Sequence, residues 1–198
     1  MHIELTEMLR CPEKHQEEFL VLSTVEMSGR MVAKGLLGCP VCHKEYEIVQ
    51  GVVEFGGIST HHAPPFSTAD PLTVQALLDL SGPGGYVVLV GSAVRYAVGL
   101  ASLMGGIHFV GINPPLDAEE LPILSLLRSQ DTIPLRSAIA RGVVAGAEVA
   151  TSRWLAEAKR ILLKGRRLVV EQEHVPEIAG LNRLAVGQGL WVGEKLDG

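Results

Sequence analysis

The stretch Tyr86-Val-Val-Leu-Val-Gly-Ser-Ala-Val-Arg-Tyr96, followed at residues 107–112 by Ile-His-Phe-Val-Gly-Ile, decides the fold. Each apolar run has the length of a strand, and a run without polar alternation is typical of a strand covered on both faces of a parallel sheet. The segment between them has the length of a helix and ends at Gly105-Gly106. The order of strand, helix and strand predicts a crossover unit in a parallel sheet.

The same alternation continues on both sides of this stretch. Upstream, Asp70-Pro71 predicts the start of a helix, because Asp caps a helix well and Pro fits its first position. Downstream, we expect a short helix at 117–121, strands at 123–128, 142–145 and 167–170, and an amphipathic helix at 151–163 that ends before Gly165. The pattern predicts an α/β fold with a doubly wound, mostly parallel, Rossmann-like sheet.

A change of composition near residue 60 predicts two units. Residues 56–65 read Gly-Gly-Ile-Ser-Thr-His-His-Ala-Pro-Pro and lack apolar periodicity, which is typical of a linker. We therefore expect a small module at residues 1–57, a linker at 58–68 and the Rossmann-like domain at 69–198. The paired His61 and His62 in this linker are expected to be solvated.

The first module carries a candidate metal site. Cys11 and His15 form one candidate pair of ligands, and Cys39-Pro-Val-Cys42 supplies a second pair after a gap of 23 residues. Two knuckles of two ligands each predict a tetrahedral Cys₃His zinc site, which would stabilise a module too small for a large core. His43 competes with His15 as the fourth ligand, and the alternative without metal is that Cys11 and His15 only pack. Between the knuckles, strands at 18–25 and 31–37 are expected to form a hairpin that turns at Ser28-Gly29.

Composition excludes several classes of function. The 198 residues carry 17 Lys and Arg against 22 Asp and Glu, so no global basic field attracts nucleic acid or anionic lipid. No apolar run is long enough for a membrane span, and Glu4 and Glu7 lie where a signal peptide would be apolar. Three cysteines do not make a disulfide framework. We expect a soluble, cytoplasmic protein.

The first module resembles a zinc-ribbon family that includes the small activating subunits of tRNA and protein methyltransferases. The resemblance is carried by Cys11-Pro12, by residues 37–42 (Leu-Gly-Cys-Pro-Val-Cys) and by residues 46–55 (Tyr-Glu-Ile-Val-Gln-Gly-Val-Val-Glu-Phe). It departs at Lys14, where the family has a cysteine. The resemblance implies a zinc-ribbon-like β module that acts beside a protein partner.

The second domain resembles the class I S-adenosylmethionine-dependent methyltransferases. Residues 131–135 (Asp-Thr-Ile-Pro-Leu), 142–144 (Gly-Val-Val) and 155–170 follow motifs of that family in order, although the tail after Glu171 is short for the family's last two strands. The resemblance implies that Gly91, Asn113 and Asp131 occupy cofactor-binding positions.

The residues at those positions depart from the family pattern. Gly91 is the one glycine kept of a Gly-x-Gly-x-Gly loop, and Val94 and Arg95 are expected to crowd the pocket. Asn113 replaces the acidic residue that would bind the ribose, and Arg141 stands where the family usually has an Asp. No catalytic residue is predicted.

Two functions follow from these patterns. The first is a methyltransferase-like protein with a structural zinc ion and a degenerate cofactor pocket, which is non-catalytic and acts through a homodimer or another protein partner. The second is an active methyltransferase that binds S-adenosylmethionine through an atypical loop and acts on an unknown substrate. A mean hydropathy of +0.27 favours association through exposed apolar surface.

Overall fold

A computed structural model of the chain describes residues 1–56, 69–118 and 121–196, and these residues form one mixed α/β structure. The linker expected at residues 58–68 lies outside the described residues. The strands are β1 (Val21–Ser28), β2 (Met31–Gly38), β3 (Glu45–Val49), β4 (Val52–Phe55), β5 (Tyr86–Val90), β6 (His108–Ile112), β7 (Leu124–Ser129), β8 (Ala140–Ala145), β9 (Leu162–Val170), β10 (Leu181–Gly187) and β11 (Leu190–Lys195). The α-helices described are α1 (Pro71–Leu78), α2 (Ala97–Leu103) and α3 (Ser152–Ile161).

All eleven strands belong to a single sheet, in the order β1-β2-β3-β4-β7-β6-β5-β8-β9-β11-β10. Strands β1 to β4 pair antiparallel, whereas β7, β6, β5, β8 and β9 pair parallel to one another. Counted along the chain, these five parallel strands lie in the order third, second, first, fourth, fifth. This is the Rossmann order, with a reversal on the two sides of β5, and it confirms the predicted Rossmann-like sheet.

The first four strands join the parallel sheet directly. Strand β4 pairs parallel with β7, and an ion pair between Glu54 and Arg128 (2.6 Å) lies across this junction. The sequence predicted the hairpin of β1 and β2, in which Gly29 adopts a φ of +58° at the turn. It gave no indication that β4 would extend the parallel sheet.

The predicted start of α1 is confirmed. The Asp70 carboxylate accepts a hydrogen bond from the Thr73 backbone N–H at 2.8 Å, and Pro71 occupies the first helical position. The apolar run at 86–90 is β5, and its side chains after Tyr86 are buried as expected. The following segment is less regular than predicted, because Gly91–Tyr96 forms a 3-10 helix before α2 begins.

The C-terminal end differs from the expectation. The tail after Glu171 forms two more strands, with β11 antiparallel to β9 and β10 at the edge of the sheet. Helix α3 ends before Gly165 as predicted, but at Ile161, two residues earlier than expected, and Gly165 itself lies in β9 with a φ of +64°. The segment expected as a short helix at 117–121 contains a turn at residues 116 and 117 and no helix among its described residues.

The two faces of the sheet are covered by different parts of the chain. On one face, α1 and α2 pack on the parallel strands through a cluster that includes Val74, Leu78, Leu89, Leu100 and Phe109. On the other face, α3 and the N-terminal segment share one buried cluster. That cluster includes Met1, Leu5, Leu9, Cys11, Val88, Ile112, Leu127, Leu135, Leu155 and Ile161. The N-terminal segment thus covers apolar sheet surface that would otherwise be exposed.

Candidate metal centre and the crevice at the end of strand β5

The structure brings together the four predicted metal ligands. The ligand atoms of Cys11, His15, Cys39 and Cys42 all lie within 4.8 Å of one another. The Sγ atoms of Cys11 and Cys42 are 3.7 Å apart, and Cys39 Sγ is 3.4 Å from His15 Nε2. A tetrahedral ion with bonds of about 2.3 Å to sulfur requires ligand atoms roughly 3.8 Å apart. The donor set and its dimensions therefore fit zinc.

Backbone hydrogen bonds shape the second knuckle. The Cys39 N–H donates to Lys44 O at 2.9 Å, and the His43 N–H donates to Cys39 O at 3.0 Å. His43 adopts a φ of +57° at this turn and its side chain is exposed, outside the cluster. The Lys44 ammonium reaches Glu13 at 2.8 Å and ties the two knuckles together.

His15 has the orientation of a metal ligand. Its Nδ1 lies 2.6 Å from Gln16 O, and because a carbonyl only accepts, Nδ1 carries the proton. The lone pair therefore resides on Nε2, the atom that faces Cys39. Metal-binding histidines usually donate their other N–H in this way. Lys14, at the position of the missing cysteine, is exposed.

The thiols of Cys11 and Cys39 differ in acidity. Burial raises the pKa of Cys11 to about 11, although the Tyr46 hydroxyl 3.2 Å away acts in the opposite direction. Burial also acts to raise the pKa of Cys39, but hydrogen bonds from the backbone of Cys42 and Val41 and from the neighbouring thiols lower it to about 7. Of these two thiols, Cys39 is thus the one that ionises more readily at neutral pH.

A second polar cluster lies at the end of β5, where the strand order reverses. Both oxygens of the Glu148 carboxylate bind Ser92, one accepting from its backbone N–H at 2.5 Å and the other from its hydroxyl at 2.8 Å. Glu171, which follows β9, lies 3.1 Å from the same hydroxyl and accepts a hydrogen bond from Tyr96 at 2.6 Å. Sequence reasoning did not identify Glu148, Glu171 or Tyr96.

The predicted cofactor positions all lie at the carboxyl edge of the sheet. Gly91 follows β5 with a φ of +65°, Asn113 follows β6 with a φ of +51°, and Asp131 lies shortly after β7. The Asn113 amide donates to Ser129 O and accepts from Ser129 N–H, both at 2.8 Å. Asp131 forms an exposed ion pair with Arg153 at 3.1 Å.

Three expectations about the pocket require correction. Val94 packs in the core beside Gly111, and Arg95 forms a bidentate ion pair with Asp117. Neither residue crowds the end of β5, which Glu148 fills instead. Arg141 lies near the start of β8, at the opposite edge of the sheet, where its guanidinium donates to carbonyls of residues 81–84. It therefore does not stand at a cofactor position.

A cleft of about 560 Å³ separates the metal cluster from the end of β7. Its lining includes Lys14, His15, Cys42, Phe55, Asp131 and Arg153. Asp131 thus lies beside the metal ligands, a proximity that the sequence did not predict.

Three of the basic residues near the end of α3 are held by contacts within the chain. Arg160 donates to Glu157 and to the carbonyls of Ile133 and Leu135, Lys159 donates to a carbonyl at residue 179, and Arg167 binds Asp79. None of the helices in the described parts of the chain is both long and apolar enough to span a membrane.

Comparisons with known proteins find similarity in structure only. No protein family matches the chain, and no curated protein matches it. Among solved structures, the chain is similar to the complex between the Haloferax volcanii Trm112 methyltransferase activator and a methyltransferase, at 21% identity and a TM-score of 0.41, with 50% of each chain covered. The present chain thus spans half the length of that relative.

Two further similar structures are methyltransferases. One is the antibiotic-resistance methyltransferase Kmr, at 13% identity and a TM-score of 0.47, with 69% of this chain and 97% of that chain covered. The other is a SAM-dependent methyltransferase from Aquifex aeolicus, at 16% identity and a TM-score of 0.46, with 64% and 88% covered. The strand order described above, and not these similarities, establishes the Rossmann-like fold.

Proposed function

We propose that this chain is a non-catalytic, methyltransferase-like protein in which a zinc-ribbon-like module, residues 1–57, is fused to a Rossmann-like domain, residues 69–198, and acts by protein association. The observation that carries the proposal is the closed end of β5. In open α/β sheets, ligands bind beyond the carboxyl ends of the strands at the point where the strand order reverses. Here Glu148 occupies that place with hydrogen bonds to Ser92.

Calorimetric titration of the purified protein with S-adenosylmethionine tests this proposal. We expect no binding heat, because the carboxylate of Glu148 already fills the space beside Gly91 and Gly146. Binding in the micromolar range would overturn the non-catalytic function. The titration requires zinc-loaded protein, so that loss of the metal does not cause a negative result.

The Cys₃His cluster would hold the zinc ion as a structural centre. Cys11, His15, Cys39 and Cys42 supply four protein ligands and leave no open position, which is the pattern of structural zinc sites. The ion would join the two knuckles and, through the buried Cys11, stabilise the packing of the N-terminal segment on the sheet. Metal analysis of protein purified under reducing conditions should find one zinc per chain, and its absence would overturn the site.

Exposed apolar side chains on the first strand support association. Val21 and Val25 in β1 are 64% and 68% exposed, and β1 is an edge strand whose outer backbone groups can pair with another chain. A homodimer or a different protein partner would use this surface. Light scattering over a concentration series distinguishes them, because only a homodimer gives a mass that rises with concentration.

The alternative is an active methyltransferase, and one observation favours it. The cleft of about 560 Å³ at the same edge of the sheet is open and bordered by Asp131, a predicted cofactor position. In this alternative Gly91 and Asn113 would contact S-adenosylmethionine as well. The titration described above separates the two functions, and the cytoplasmic location expected from the sequence is common to both.

A further inference from the structure

The glycines at the end of β5 and β8 make room for a carboxylate. Gly91 follows β5 and Gly146 follows β8, and a Cβ atom on either residue would overlap the carboxylate oxygens of Glu148. At Gly146 such a Cβ atom would also overlap the Ser92 hydroxyl, and at Gly91 the φ of +65° by itself favours glycine. The pocket has the features of an anion site, with small residues on two sides and a backbone N–H directed into it.

The bonds to Glu148 are those that a free carboxylate would make. Its two oxygens are bound by the N–H and the hydroxyl of one residue, Ser92, which is 7% exposed. Glu148 belongs to the 3-10 helix Ala147–Val149, so its side chain folds back across Gly146 to reach this position. No ion pair joins Glu148 to the described residues, and hydrogen bonds to Ser92 hold it in place.

A second carboxylate competes for the same hydroxyl. Glu171 lies 3.1 Å from Ser92 Oγ, but a serine hydroxyl has one proton and donates to one acceptor at a time. The two carboxylates carry like charges and share this hydroxyl, so each is bound less strongly than it would be alone. The backbone N–H of Ser92 contacts only Glu148 in this cluster and gives it the stronger hold.

We propose that the crevice formed by Gly91, Ser92 and Gly146 is a carboxylate-binding site that the chain occupies with Glu148 as an internal ligand. The site is closed to carboxylates in the natural chain and accepts a small free carboxylate once the Glu148 side chain is removed. This inference rests on the proposed closed crevice and adds the chemical class of ligand that the closed site takes.

Chemical rescue of Glu148→Ala by acetate tests the proposal. Thermal unfolding is measured at pH 7 in increasing sodium acetate and, at the same ionic strength, in sodium chloride. The variant should unfold at a lower temperature than the natural chain, because the Ser92 N–H loses its acceptor and the Ser92 hydroxyl is left with Glu171 alone. At acetate concentrations about ten times its dissociation constant, the midpoint of the variant should rise by roughly 3–6 °C over the chloride series.

Three control proteins define the specificity of the rescue. The natural chain and Glu47→Ala, a change at an exposed position of β3, should show the same midpoint in acetate and chloride. Glu148→Gln keeps a side chain in the crevice and should also fail to respond. Equal responses of the variant and the natural chain, or no response of Glu148→Ala, would overturn the proposal.

If Glu148→Ala does not fold in chloride, refolding from urea provides the second measurement. Recovery of folded protein in acetate and not in chloride supports the internal-ligand role, and recovery in neither salt contradicts it. These results are independent of the titration with S-adenosylmethionine. A natural chain that binds the cofactor would disprove the closed crevice, whereas a failed rescue with no cofactor binding would disprove only the internal ligand.

Discussion

The substitution Asn113→Asp tests whether this side chain serves the fold or a cofactor. The amide of Asn113 pairs with the backbone of Ser129 as a neighbouring strand would, donating from Nδ2 and accepting at Oδ1, both at 2.8 Å. An aspartate retains the acceptor but replaces the donor with a charged oxygen that faces a carbonyl. The acidic residue expected at this position of a methyltransferase would therefore damage the structure.

The expected cost follows from these two contacts. Leaving a part-buried carbonyl without its donor and placing a carboxylate against it should cost about 2–3 kcal/mol. In a chain of this size, the thermal midpoint should fall by roughly 2–4 °C for each kcal/mol. We expect Asn113→Asp to unfold about 4–12 °C below the natural chain at pH 7.

The pH dependence of this cost has a definite sign. A protonated aspartic acid can donate to Ser129 O, so folding should raise the pKa of the new carboxyl above its ordinary value of about 3.9. The folded variant then binds its proton more tightly than the unfolded chain does. Its stability relative to the natural chain should improve as the pH falls through the raised pKa and approaches about 3.9.

Differential scanning calorimetry at several pH values measures both effects. Asn113→Gly is the matched control, because glycine suits the φ of +51° and loses both hydrogen bonds without adding a charge. The loss of stability caused by Asn113→Gly should not depend on pH. Equal stability of Asn113→Asp and the natural chain at pH 7, or a deficit that grows in acid, would refute the role assigned to Asn113.

Three further outcomes are expected. Cys39→Ser should abolish stoichiometric zinc and lower the thermal midpoint of unfolding. His43→Ala should retain the metal, because the His43 side chain is exposed. Metal analysis of the two purified variants measures this difference. Burial, together with His108 nearby, lowers the pKa of His2, so the free energy of unfolding should fall as the pH decreases below 6.5. His2→Asn should make the free energy of unfolding, measured by urea titration, less dependent on pH in this range. Glu157→Ala should cost roughly 3 kcal/mol in the same assay, because it leaves part-buried arginines without their carboxylate; a cost below 1 kcal/mol would contradict this role.

Local signals in the sequence predicted the parts of the fold that depend on local physics. The Asp70-Pro71 pair begins a helix because both residues act on the first turn, and the apolar run at 86–90 is a strand because every side chain after Tyr86 is buried. The four Cys and His side chains that cluster in the structure were identified from their spacing. In the helix and the strand, neighbouring residues determine the outcome, whereas the cluster joins two short motifs that lie 24 positions apart.

The parts that depend on distant contacts were missed. Strand β10 is mostly exposed and lacks apolar alternation, so its sequence did not indicate a strand. Glu148 fills the end of β5 although it lies 56 positions after Ser92, to which it binds. No local pattern in the sequence identifies it. Strand β8 begins at Ala140 and not at Gly142, which places Arg141 at the amino edge of the sheet and away from the position assigned to it.

The metal site and the parallel sheet are physically coupled. Cys11 belongs to the same buried cluster as Leu135 and Ile112, and Leu9 bridges directly to Leu135. Strand β4 continues the sheet into β7, so the antiparallel strands and the parallel strands share backbone hydrogen bonds as well as a core. A change at the Cys₃His cluster should therefore affect the face of the sheet that the N-terminal segment covers. Among the described residues, few helices cover that face, so its core depends on the N-terminal segment. Loss of zinc should therefore lower the stability of the whole described structure in one cooperative unfolding transition. Two separate transitions, of which only one is shifted, would contradict this coupling.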